Sequence, residues 1–331
     1  MSANIYSYRG GVIDNRHTAS LAVVTPSGKL LAYAGDPGLQ AHLRSSSKPF
    51  QAQAIFQTNA VGHFGLTPKE IAVSCASHSG SPDHVATVGG YLQKIGLNQD
   101  YLACGAHMPS DADSVRILTE THQKPMFLHS NCSGKHTGML AAAMTMGATP
   151  RGYEQPDHPV QQMNFQTVRD LADVDHVPYG IDGCSVPAFI LPLVNAARMF
   201  ALLAAPDAAP SKYQSGLHTT YTSMRAHPDM VSGNDGMDTV LMRALPDFAC
   251  KGGADGYHGL ALRNTRWGPL GVTMKVESGS YEAHNPLVVA LLEQLGVLSP
   301  DLALPWRRPL LRNVRGLEVG HWETELKLDW T

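Results

Sequence analysis

A serine and a lysine three positions apart, Ser45 and Lys48, stand at the head of the stretch RSSSKPFQAQA over 44–54. One helical turn puts residues i and i+3 on the same face, so this spacing can bring an amine to a hydroxyl. A serine hydroxyl becomes a nucleophile when a base takes its proton, and a lysine is such a base only while neutral. Burial and neighbouring positive charge lower an ammonium pKa from about 10.4 toward 7 or 8. A helix start at the same place adds free amides and the positive end of its dipole, which can hold an oxyanion beside Ser45. The plain alternative is that Ser45 or Ser46 caps a helix and Lys48 is solvated. A single S-x-x-K does not choose between them.

Two further segments bear on that choice. SCASHSGSPDH (74–84) is a small-residue loop offering a second hydroxyl, Ser77. CKGGADG (250–256) puts Lys251 on a strand edge, where the following glycines let a substrate approach the backbone. Penicillin-recognising serine enzymes use the same chain order: S-x-x-K, a serine-bearing loop, then a K-T-G strand. A separate group, Cys132, His136 and Cys184, suits zinc. Cysteine and histidine four apart can share a helix face, and thiolate and imidazole are good ligands for that ion. The competing reading makes both cysteines small, buried, reduced thiols.

The elements that must position these groups follow from pattern. Ser20–Thr25 and Leu30–Ala34 read as a hairpin around Pro26-Ser27-Gly28. A helix is predicted over about 46–59, a short one at GLTPKE, and another capped by Ser81 with Pro82 at its first position. Further helices are predicted from Ser133 to a stop at Gly147, and over 158–174, 187–205, 211–226, 235–244 and 285–298. Strands return near 257–263 and 271–276. Strands at both ends with helices between them predict one domain over 1–331 of mixed α/β (α+β) class. Its antiparallel sheet comes from about 5–36 and 247–277, flanked by helices, with a helical part at about 45–245.

With these residues in view, the chain resembles the L-asparaginase II family of the Rhizobium etli type. The resemblance runs through YRGGVIDNRH (8–17), GDP (35–37), RSSSKPFQ (44–51), SHSG (77–80), CGAHMP (104–109), NCSGKHTGML (131–140), GIDGCSVPAF (180–189) and KGGADG (251–256). It implies a fold like that of serine β-lactamases, DD-peptidases and glutaminases, and hydrolysis of L-asparagine to L-aspartate and ammonia. It also implies Ser45 as nucleophile, Lys48 as its base, and Ser77 with Lys251 as a second pair facing the first. Arg44, His78 and Asp182 fall to substrate binding; a guanidinium can grip a carboxylate through two parallel hydrogen bonds. The implied zinc ligands are Cys132, Lys135 and Cys184, with His136 adjacent as the alternative third. The ion is expected to position substrate rather than activate water, since Ser45 already supplies the nucleophile. Two positions depart from the pattern: Ser81 stands where an acidic residue is expected, and Gly252 where a threonine is.

Composition narrows the partners. Net charge is −3 without long runs of one sign, which argues against a nucleic-acid or anionic-membrane partner. The opening MSANIYSYRGG has no apolar core, so no secretory signal is expected. Five cysteines, an odd and sparse set, fit a reduced cytoplasm better than a disulfide framework. A homodimer is the expected assembly. Two other readings compete: a serine hydrolase with a penicillin, peptide or glutamine substrate, and a zinc-stabilised amino-acid-binding protein without chemistry.

Overall fold

The structure, a computed structural model, describes residues 3–299 and 301–331. Twelve strands can be followed among them: β1 (Ala3–Arg9), β2 (Val12–Val24), β3 (Leu30–Ala34), β4 (Gln40–His42), β5 (Tyr179–Ile181), β6 (Pro187–Pro192), β7 (Phe248–Gly252), β8 (Tyr257–Leu262), β9 (Leu270–Val276), β10 (Leu310–Arg312), β11 (Glu318–Leu326) and β12 (Asp329–Trp330). The main sheet runs β10-β11-β1-β2-β9-β8-β7, with β3 bridging β2 and β12. Its pairings are antiparallel throughout. The fold is therefore the expected mixed one, a sheet made from both ends of the chain with helices inserted between.

Strand burial follows what covers each strand. β1 alternates buried and half-buried residues, whereas β8 is buried at every position. A strand buried on both faces reads as a continuous apolar run, and YHGLAL is close to one. The helix Leu193–Ala204 packs across β2, β8 and β9. It comes so near that a Cβ on Gly271 would lie 2.0 Å from Ala197 O and 2.1 Å from Ala201 N. Only glycine admits that contact, and Thr273 Oγ1 fastens it by donating to Leu193 O at 2.7 Å.

A second apolar core lies in the helical part, around Ile55, Ile71, Val88, Leu140 and Val186, and includes Cys132 and Cys184. Helices Pro68–Ser74, Pro82–Lys94 and Ser133–Thr145 build it. The candidate site sits between the two cores. No helix among the described residues is long and apolar enough to cross a membrane.

Three expectations need correction. The helix predicted over 187–205 begins only at Leu193, because Pro187–Pro192 is β6, paired between β4 and β5. Pro192 forces extended backbone on the residue before it, and that ends any helix there. The helix predicted over 46–59 is a 3-10 turn, Arg44–Ser47, running into short helical pieces, Lys48–Gln51 and Gln53–Gln57. The sheet also reaches past 277: β11 pairs with β1 along its length.

Candidate active site

Each of the three serines of RSSSK has its own place. Ser47 Oγ donates to Arg44 O at 2.8 Å and closes the 3-10 turn on itself. Ser46 Oγ donates to Lys251 O at 2.7 Å, tying that turn to β7. Ser45, half-buried, is left to line a cavity of about 390 Å³ that Ser77, Asn131, Asp238 and Lys251 also line. Gly253 makes the junction possible, since a Cβ there would lie 2.8 Å from Leu43 O. The turn starts with Arg44 at φ 49°, a left-handed conformation that costs a non-glycine residue about 1–2 kcal/mol. Two ion pairs hold it there: Arg44 Nε with Asp182 Oδ1 at 2.9 Å, and Arg44 Nη1 with Asp255.

Lys48 is buried, not solvated, at 1% exposure. Its Nζ donates to Ala76 O at 2.5 Å and to Ser77 Oγ at 2.9 Å. The side chain thus crosses from the turn to the second serine: Lys48 pairs with Ser77, and its hydrogen bonds go to Ala76 O, Ser77 Oγ and Asn131 O rather than to Ser45. Burial lowers the Lys48 pKa, and the positive charges of Lys135 and Lys251 push the same way against the opposing Cys132. This is the environment that a lysine base requires.

Lys251 is equally buried and donates to Asp238 Oδ2 at 3.3 Å and to Gly252 O at 2.7 Å. His78 does not line the cavity. It accepts from Gly80 N at 3.1 Å through Nδ1, so its Nε2–H is the donor to Ser133 Oγ at 2.8 Å. Burial, with His84 stacked on the ring, keeps it neutral. The residue therefore fixes the loop that presents Ser77. Ser81 likewise caps the helix Pro82–Lys94, accepting from His84 N.

The sequence model of the family described as L-asparaginase II matches residues 5–324. The chain belongs to the L-asparaginase II family. That membership makes it an amidohydrolase. A search of curated proteins finds no match. Among solved structures, the chain is similar to a Bacillus glutaminase at 12% identity and a TM-score of 0.41, over 84% of this chain and 91% of that one. It is also similar to Mglu in its glutamate form at 14% identity and a TM-score of 0.47, over 87% of this chain and 63% of that one.

For this L-asparaginase II family member the implied metal group can be tested against the residues present. Lys135 Nζ lies 2.9 Å from Cys184 Sγ, and Cys132 and Cys184 share a hydrogen bond. That bond, with the charges of Lys48 and Lys135, brings the Cys132 thiol well below its ordinary pKa despite burial. Burial alone would lower Lys135, but Cys184 and Cys132 hold it raised. An ammonium therefore stands beside the sulfurs where a cation is stable. His136 Nε2, buried, has no hydrogen-bond partner, while its Nδ1 pairs with Tyr153 Oη at 2.6 Å. Two sulfurs suit zinc, and Lys135 would join them only by giving up the proton that they now hold on it. Cys132, Cys184 and Lys135 would hold it; the alternative set with His136 in place of Lys135 is not among the groups of described residues whose ligand atoms lie within 4.8 Å of one another.

A second buried group, Asp238, Cys250 and His258, has ligand atoms within 4.8 Å of one another. Here Lys251 already supplies the positive charge opposite Asp238. Sequence reasoning missed Asp238, His258, Tyr281 and His284, all on the cavity wall. Asp238 lies in the first turn of Met237–Ala244, where an acidic residue reads as ordinary dipole complementation.

Proposed function

We propose that the protein hydrolyses L-asparagine to L-aspartate and ammonia through an acyl-enzyme on Ser45. The observation that carries this reading is one cavity lined by Ser45, Ser77 and Lys251, with the buried amine of Lys48 bonded to Ser77 at its edge. Ser45 Oγ attacks the side-chain amide carbon, its proton passes to neutral Lys48, and backbone amides of the 3-10 turn hold the oxyanion. The Ser77 hydroxyl, between Lys48 and the cavity, relays a proton to the departing ammonia together with Lys251. Water then cleaves the β-aspartyl ester along the same proton path in reverse.

Arg44 and Asp182 keep the substrate-binding role in this reading from outside the Ser45 cavity: neither lines it, and Arg44 lines a neighbouring cavity with Asp255. Asp255, exposed at 64%, is the carboxylate that an incoming substrate carboxylate displaces from Arg44. His78 contributes by holding the Ser77 loop. Zinc, when bound by the Cys132–Cys184 group, supplies a positive charge that orients an electron-rich part of the substrate. Two unbridged neighbouring thiols support a reduced cytoplasm as the setting, and a homodimer is the proposed assembly.

The test is ammonia release from asparagine, glutamine and a chromogenic β-lactam, with hydroxylamine added to intercept the acyl group. Asparagine as the preferred substrate, with aspartyl hydroxamate formed in hydroxylamine, is the expected result. Ammonia release without any hydroxamate, or a preference for the β-lactam, would overturn the reading.

A further inference from the structure

Lys251 stands at one end of a buried row of polar side chains that no step above uses. Asp238 Oδ2 lies 3.3 Å from Lys251 Nζ, and Asp238 Oδ1 lies 2.9 Å from His258 Nε2. His258 Nδ1 is 2.9 Å from His284 Nε2, and His284 Nδ1 is 3.0 Å from the side-chain amide of Asn285 at the cavity wall. The two imidazoles stack at 5.0 Å.

His258 Nε2 faces the ionised Asp238 at 2.9 Å, His258 Nδ1 meets His284 Nε2, and His284 Nδ1 meets Asn285 Oδ1, so the two imidazoles form a buried row behind the carboxylate. The carboxylate also receives Gly252 N–H, 3.0 Å from each oxygen, and Cys250 S–H at 3.5 Å. The titratable and charged groups facing it are thus Lys251 and Cys250 from β7, His258 from β8, and His284 and Tyr281 from the helix Tyr281–Gln294.

An ammonium has three hydrogens. Lys251 gives one to Asp238 and one to Gly252 O, so the third is left for the cavity that Ser45 and Ser77 share. We infer that Asp238, backed by His258 and His284, is the positioning residue that aims the third N–H of Lys251 at the reacting groups. It acts only through Lys251. The inference rests on the serine–lysine reading of the site and adds a part to it.

Steady-state kinetics on asparagine test this. Asp238→Asn should lower kcat about 100-fold, the loss expected for a mispositioned proton donor, while KM stays within about threefold. Because Asp238 acts through Lys251, adding Asp238→Asn to Lys251→Gln should cost no further activity. If Asp238→Asn fails to fold by circular dichroism, the pair His258→Leu and His258→Gln replaces it. Leucine removes the polar group that faces Asp238 and should lower kcat about tenfold, whereas glutamine keeps one there and should restore most of it. A kcat for Asp238→Asn within about twofold of wild type, or losses that multiply in the double variant, would overturn the inference while leaving the serine–lysine site standing. Full turnover by Lys251→Gln alone would sink the underlying reading and this inference with it.

Discussion

Lys48 and Lys251 sit in different electrostatic surroundings. Lys251 faces a buried carboxylate, and Lys48 faces a carbonyl, a hydroxyl and two other lysines. Desolvation without an adjoining carboxylate favours the neutral amine, and a paired carboxylate favours the ammonium. Ser77→Ala removes the hydroxyl between Lys48 and the cavity and should lower kcat by about 100- to 1000-fold with little change in KM. Metal removal should show the opposite split. Dialysis against a chelator, with zinc content measured alongside, should raise KM more than it lowers kcat if the ion orients substrate. His284 provides a pH test of stability. Burial, then the nearby His258, depresses its pKa to about 3. The unfolded chain therefore takes up that proton first as pH falls below about 6.5, and stability drops by about 1.4 kcal/mol per pH unit down to about 3. Denaturant melts at pH 7 and 5 should show a shallower loss for His284→Gln than for wild type. At this scale the sequence marked Ser45, Lys48, Ser77, Lys251 and the two cysteines as candidates, because motif order singles them out. Asp238 and His258 stayed hidden: their meaning comes from partners on other elements, and no local spacing announces that.

At the scale of elements, the site depends on how closely helices and strands approach. Gly271 is the clearest point, with the helix Leu193–Ala204 against it. Gly271→Ala should cost about 3 kcal/mol through overpacking and lower the melting temperature by several degrees, as calorimetry would show. The caps at Thr67, Ser81 and Ser280 are all present, each accepting a backbone N–H; Ser81 was readable from residue type, whereas the helix expected over 285–298 starts earlier, at Tyr281 behind Ser280, and ends at Gln294. What could not be read was where tertiary pairing overrides propensity. Residues 187–192 are apolar and abut a true helix, so pattern alone merges them with it, while β6 exists because β4 and β5 lie on either side. Gly252, where a threonine was expected, has only ordinary contacts around a Cβ position, with Asp238 Oδ1 at 3.6 Å. Asp238 thus supplies the polar contact on that side of Lys251.

For the whole molecule, the two ends of the chain meet in one sheet and hold the inserted helices between them. β11 covers β1 across seven paired residues, from Ala3–Leu326 to Arg9–Gly320. Truncation before residue 310 would strip β10, β11 and β12, leaving β1 as a bare edge. Unpaired edges seed aggregation, so the truncated chain should be recovered mainly as aggregate in size-exclusion chromatography. The catalytic account makes its most direct claim about Ser45, since the fold gives that serine the cavity and spends its two neighbours on structure. The deciding measurement is ammonia release from saturating asparagine by Ser45→Ala, with folding verified by circular dichroism. Loss of all but a trace of turnover is the predicted result. A folded Ser45→Ala enzyme that keeps turning over at a rate near that of the wild type would contradict it.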